Sequence, residues 1–149
     1  MREHPDHHDA ELMLRLYDLR REAKLREARD WLTREFQADS LDGFYQRFPA
    51  GAAENAYFRM ATSYWEMAAS IVNHGLITET FFFESNAEFY AVWTKIKHLA
   101  AAAREAYKNP YVWKNLETLS EKYEKWMATR APEAVALFRQ RLTQAHPKE

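Results

Sequence analysis

The sequence predicts an all-α protein, an antiparallel bundle of five to six helices around an aromatic-rich core. Three observations lead there. Apolar residues recur three and four positions apart in every periodic segment, and no window alternates with the period of two that a half-buried strand requires. Only 3 glycines and 5 prolines interrupt the 149 residues, so the elements are long. Aromatic residues make up 15% of the chain, and rings in that number call for the thick packing layers between helices.

The first segment is predicted as one amphipathic helix from near Asp9 to about Gln37. Leu12, Leu16, Leu19 and Ala23 form a stripe that Ala28, Trp31, Leu32 and Phe36 continue after a drift in phase. Acids and bases four apart, Glu11 with Arg15, Glu22 with Arg26 and Asp30 with Arg34, mark its solvated side. The stretch from Ala38 to Gly51 reads as a loop with one short turn, pinned to the core by Phe44, Tyr45 and Phe48. A second helix spans about Ala53 to His74 on Tyr57, Met60, Ala61, Tyr64, Ala68, Ile71 and Val72, with Gly75 as its left-handed stop.

A short third element starts at Thr78 and carries Phe81, Phe82 and Phe83. Ser85-Asn86-Ala87-Glu88 has the form of a capping box and opens a fourth helix, striped by Phe89, Val92, Trp93, Ile96, Leu99, Ala100, Ala103 and Tyr107. Asn109-Pro110 ends it and starts the fifth, with Val112, Leu116, Leu119, Tyr123, Trp126 and Met127. The last helix enters at Pro132 and carries Val135, Phe138 and Leu142. One domain therefore covers 1–149, with residues 1–8 expected to be flexible and the tail 146–149 frayed.

Composition excludes several functions. Lys and Arg number 21 against 22 Asp and Glu, a balance unlike that of a dedicated nucleic-acid domain, so no nucleic acid is expected as a partner. A nucleic-acid role would need Lys95, Lys97, Arg104 and Lys108 to share a face with the basic first helix. The absence of cysteine removes disulfides, thiolate catalysis and cysteine-ligated metals, and suits a cytoplasmic location. No run approaches the ~18 apolar residues of a membrane helix, and the charged N-terminus lacks the apolar core of a signal peptide.

No catalytic motif emerges, and the chain is expected not to be an enzyme. Ser40, Ser63, Ser70, Ser85 and Ser120 sit in no nucleophile elbow, and Gly43, Gly51 and Gly75 are too isolated for a phosphate loop. The Glu-x-x-His pairs of di-iron bundles are missing. His4, His7 and His8 lie in a segment without a second shell, so neither metal nor cofactor is expected. Three single residues stand out. Glu66, between Trp65 and Met67, borders apolar surface that raises a carboxyl pKa. His74 can donate to the last carbonyls of its helix, and Arg104 can reach across small alanines to a carboxylate or an anionic ligand.

From about residue 56 to 126 the order of residues resembles an uncharacterised bacterial family of small helical domains of unknown function. The resemblance rests on Tyr57-Phe58 and Trp65-Glu66, then Gly75-Leu76-Ile77 and Glu79, then Phe83, Glu88-Phe89-Tyr90, Trp93, Arg104-Glu105, Trp113, Leu116-Glu117 and Tyr123 through Trp126. It implies a family-like core over about 53–127. Arg59 departs from the acid that often follows the aromatic pair, and a charged helix stands where relatives often carry a membrane helix. These letters specify a fold and imply no activity.

The expected role is that of a non-catalytic helical interaction module that self-associates as a homodimer. Phe81, Phe82 and Phe83 sweep ~200° of a helix, so either one ring projects beside Tyr90 to seed an interface or the element is sandwiched and buries all three. The alternative is a small-ligand-binding bundle in which Tyr57, Tyr64, Trp65 and Trp93 line a pocket.

Overall fold

The computed structural model describes residues 5–144, and among these no strand occurs. In chain order the helices are α1 (His7–Arg20), α2 (Ala23–Arg34), α3 (Leu41–Arg47), α4 (Ala53–Asn73), α5 (Glu79–Ser85) and α6 (Glu88–Ile96). After a 3-10 turn (Lys97–Leu99) come α7 (Ala100–Ala106), α8 (Lys114–Arg130) and α9 (Ala134–Gln144). The all-helical reading stands. The elements are more numerous and shorter than the five to six expected, because two of the long stripes are interrupted.

The first interruption lies at Arg21 and Glu22. The amide of Arg21 closes α1 on the carbonyls of Asp18 and Leu19, and Glu22, in extended backbone, accepts from the amides of Lys24 and Leu25 to open α2. The drift in phase along the predicted helix was the trace of this break. Glu22 thus spends its carboxylate on a helix end rather than on Arg26. The second interruption is the 3-10 turn, which splits the stripe from Phe89 to Tyr107.

Three caps differ from expectation. Ser85 is the last residue of α5, and α6 is entered from Ala87 without a side-chain cap. Glu88 points into the structure instead of back onto its own helix, so no capping box forms. Thr78 precedes α5 as predicted, but its hydroxyl donates to the buried carboxylate of Asp9, 2.9 Å away. The fifth predicted helix begins only at Lys114, because the Asn109 side chain accepts from the Tyr111 amide at 2.9 Å and forms a turn around Pro110.

His7 and His8, in the segment expected to be flexible, belong to α1, capped by Asp6 and Asp9 in a reciprocal box. His4 and the tail 146–149 lie outside the described residues. Among the described residues no group of His, Asp and Glu is arranged to hold a metal, and no helix is long and apolar enough to cross a membrane.

Helix α4 runs through the middle and packs against α2, α6 and α8. Its buried alanines, Ala61, Ala68 and Ala69, let neighbours approach closely, while Phe58 and Trp65 fill the gaps. The rings gather at two ends of the core. Phe44 lies 4.8 Å from Phe58, with Phe36 and Trp31 behind it. At the other end Phe83, Phe89, Tyr90 and Tyr123 pack ring on ring.

Candidate functional site

The predicted interface is occupied within the chain itself. Phe82 and Tyr90 are each only 1% exposed, Phe83 is buried and Phe81 is half-buried against the core. The arc swept by α5 is filled from two sides. Phe82 lies 5.5 Å from Phe89 of α6, and Phe83 meets Tyr123 and Trp126 of α8 at 5.3 and 5.4 Å. Phe82 and Phe83 are thus covered from within the chain while Phe81 is only half-buried, and Phe82 cannot seed a surface contact because the second helix that covers it is part of the same chain. The Tyr90 hydroxyl is also engaged, donating to Glu124 at 2.7 Å and accepting from Arg139 Nε at 2.9 Å.

The four rings assigned to a pocket are likewise spent on packing. Tyr57 donates to Glu27 at 3.1 Å and lies against Trp31. Tyr64 donates to the Leu16 carbonyl, Trp65 is wholly buried, and Trp93 sits in the core. Tyr64 and Trp65 meet edge-on at 4.9 Å, while Tyr57 lies apart against Trp31 of α2.

The reason Trp65 is buried was missed in the sequence. Its indole nitrogen donates to Glu88 Oε2 at 2.8 Å, and the same carboxylate accepts from Arg29 Nε and Nη2 at 2.6 and 2.9 Å. Arg29 also donates to the Arg20 carbonyl at 2.9 Å, so the knot ties the α1–α2 junction to α4 and α6. Arg29 sits in a gap of the first stripe, and nothing in its spacing signals a partner 59 residues away.

Glu66, Arg104 and His74 all serve helix ends. Glu66 accepts from the amides of Asn115 and Leu116 at 3.2 and 3.0 Å, capping α8 from a neighbouring helix. Burial pushes its pKa up, and those amides oppose the shift. Arg104 donates to the Val112 carbonyl at 3.0 Å and to Glu117 at 3.3 Å. The Lys114 hydrogen bond, helped by the Arg104 charge and resisted by burial, holds Glu117 below the usual carboxylate range. His74 Nδ1 lies 2.8 Å from the Ser70 carbonyl. Lys95 donates into the structure, to the Phe36 carbonyl at 3.2 Å, and so does not extend a basic face.

Two surface features stand out. Along α1 a groove of about 1050 Å³ is bordered by Leu12, Leu14, Leu19 and Leu76 together with His8, Glu11, Arg15 and Asp18. Leu14 is 68% and Leu76 52% exposed. Leu19 also borders an almost wholly apolar groove with Leu25, Met60 and Met67, so apolar surface continues from one to the other. The second feature is a cleft of about 530 Å³ between α4, Tyr45 of α3 and the link before α8, lined by Tyr107, Tyr111 and Trp113. The Tyr45 and Tyr107 hydroxyls are 3.4 Å apart, and burial followed by that contact pushes the Tyr45 pKa well above its ordinary value.

A family model described as "Domain of unknown function (DUF4760)" matches residues 5–126. The match begins near the cap of α1, so the first three helices are part of the family fold and not only the segment from residue 56. No curated protein and no solved structure matches the chain.

Proposed function

The chain belongs to this family of unknown function, and from that premise we propose that it is a non-catalytic helical module that self-associates through α1. The observation that carries this reading is apolar surface left over once the core is filled: Leu14, Leu19, Met67 and Leu76 are all exposed and border connected grooves. A contiguous apolar patch of this kind is seldom left bare.

Charge on the face favours a second copy as the occupant. An antiparallel, two-fold pairing of α1 centred at the level of Met13 sets Glu11 opposite Arg15 of the copy and His8 opposite Asp18, with Leu14 exposed beside them. Each pair occurs twice, as an isologous interface requires. What supports a non-catalytic role is that Glu66, Glu88, Arg29 and Arg104 are all bonded to helix ends or to one another. The absence of cysteine from the sequence suits a cytoplasmic location.

Leu14→Glu and Leu19→Glu test the proposal, since both side chains point away from the core. Each should keep the helical circular dichroism of the parent and give a monomer in sedimentation. A variant that stays dimeric places the interface elsewhere.

A second reading, a ligand-binding bundle, is favoured by the cleft beside Tyr45, Tyr107, Tyr111 and Trp113. Its volume lies within the range of small-molecule sites, ~300–1,000 Å³. These are not the four rings the sequence suggested.

A further inference from the structure

The cleft between α4 and the link from α7 to α8 has features that helix packing does not require. Trp113, which lines the cleft, adopts left-handed backbone with φ of +56° although it is not glycine. Such residues persist where the surroundings over-determine them, and they gather at ligand sites. Here the link is held by Arg104 on the Val112 carbonyl and by the Trp113 ring set edge-on to Phe58 at 5.8 Å. The result is a wall of rings that solvent can reach: Tyr111 is 74% exposed and Tyr107 is exposed beside it.

The opposite wall is one face of α4, bearing Arg59, Ser63 and Glu66. Arg59 Nε donates to Asn55 Oδ1 at 3.1 Å, and Asn55 is itself buried and fixed by donating to the Phe48 carbonyl at 3.0 Å. One edge of the guanidinium is thus oriented by a rigid partner. Among the described residues no carboxylate pairs with it, in contrast to Arg29, Arg104 and Arg139. Glu66 lies two turns further along, ~10 Å away at 1.5 Å per residue, and both its oxygens already accept backbone amides.

We propose that this cleft binds a small planar aromatic carboxylate, its ring against Tyr107, Tyr111 and Trp113 and its carboxylate on the open edge of Arg59. The inference rests on the ligand-binding reading and names its ligand class. The planar guanidinium fork matches a carboxylate with two parallel hydrogen bonds, and flat rings supply area at low conformational cost. An organic cation is disfavoured, because Arg59 repels it and both oxygens of Glu66 are already engaged by backbone amides.

Indole-3-acetate is the probe, with indole-3-acetamide as its neutral counterpart, each titrated into the full chain and followed by amide NMR shifts. The acetate should move resonances from Tyr107 to Lys114 and bind at least ~10-fold more tightly than the amide, a difference of ~1.4 kcal/mol. Arg59→Gln should remove that preference while leaving the fold intact, and Tyr111→Ala should weaken both compounds. Equal binding of the two compounds at the cleft overturns the carboxylate assignment but leaves a ligand site. Millimolar additions of both that move no resonance in this segment overturn the ligand-binding reading as well.

Discussion

The indole nitrogen of Trp65 donates to Glu88 across 2.8 Å, joining α4 to α6 at the point where Arg29 of α2 also arrives. One carboxylate therefore satisfies three donors from two helices, and each donor would otherwise be a partly buried polar group without a partner. Side chains of Arg29 and Glu88 retain 17% and 24% of their exposure, so the pair is neither fully screened nor fully desolvated.

Glu88→Ala should accordingly destabilise the protein by ~2–3 kcal/mol, less than the loss of one partner from a wholly buried ion pair. Urea denaturation of the two proteins measures it. The quenching of Trp65 fluorescence by its neighbours should change in the same variant, and a loss below ~0.5 kcal/mol would mean the knot contributes little.

Asp9 predicts a pH dependence. Burial would raise its pKa, but hydrogen bonds from Thr78 and Asp6 outweigh this and hold it far below the usual carboxylate range. A folded-state pKa below the unfolded one means stability that is present above ~4 and is lost as the pH falls toward the folded value. Asp9→Asn should flatten that acid limb in thermal melts at pH 2–5, whereas an unchanged limb would assign it to other carboxylates. Glu66 acts in the opposite sense: its raised pKa makes its contribution decline as the pH rises above ~4.3.

Trp93 lies in the core among Phe89, Ile96 and Ala100 of its own stripe, where the sequence put it. Trp93→Ala should cost ~3–5 kcal/mol by chemical denaturation, the usual size for emptying a large aromatic site. A value below ~1 kcal/mol would contradict the packing of α6.

Lys108 ends α7 in left-handed backbone. Its amide bonds the Glu105 carbonyl while the Asn109 amide reaches Arg104, the pattern in which glycine is favoured. Lys108→Gly should therefore stabilise the chain by ~0.5–1 kcal/mol despite glycine's greater freedom when unfolded. Thermal denaturation decides the sign.

What the sequence revealed follows from the range over which each signal acts. Stripes at three-and-four spacing are local, so the helical class, the stop at Gly75 and the burial of Trp93 were legible. Caps were read less well because cap residues have competing partners. Thr78 and Glu88 have the right chemistry at the right spacing, yet both bond side chains far away in sequence. Phe81 to Phe83 gave a correct demand, that rings on several sides of one helix need cover, without saying whether α8 or a second chain supplies it. The cleft was invisible because Tyr45 of α3, Tyr107 at the end of α7, and Tyr111 and Trp113 of the link come from separate elements that no single period aligns.

The solution mass of the unmodified protein tests self-association most directly. Sedimentation equilibrium at micromolar to ~100 μM concentration should give twice the mass of the chain, and Arg15→Glu should shift the dissociation constant upward while Glu11→Arg combined with Arg15→Glu restores it. A monomer throughout that range, or a double substitution no better than the single one, would contradict self-association through α1.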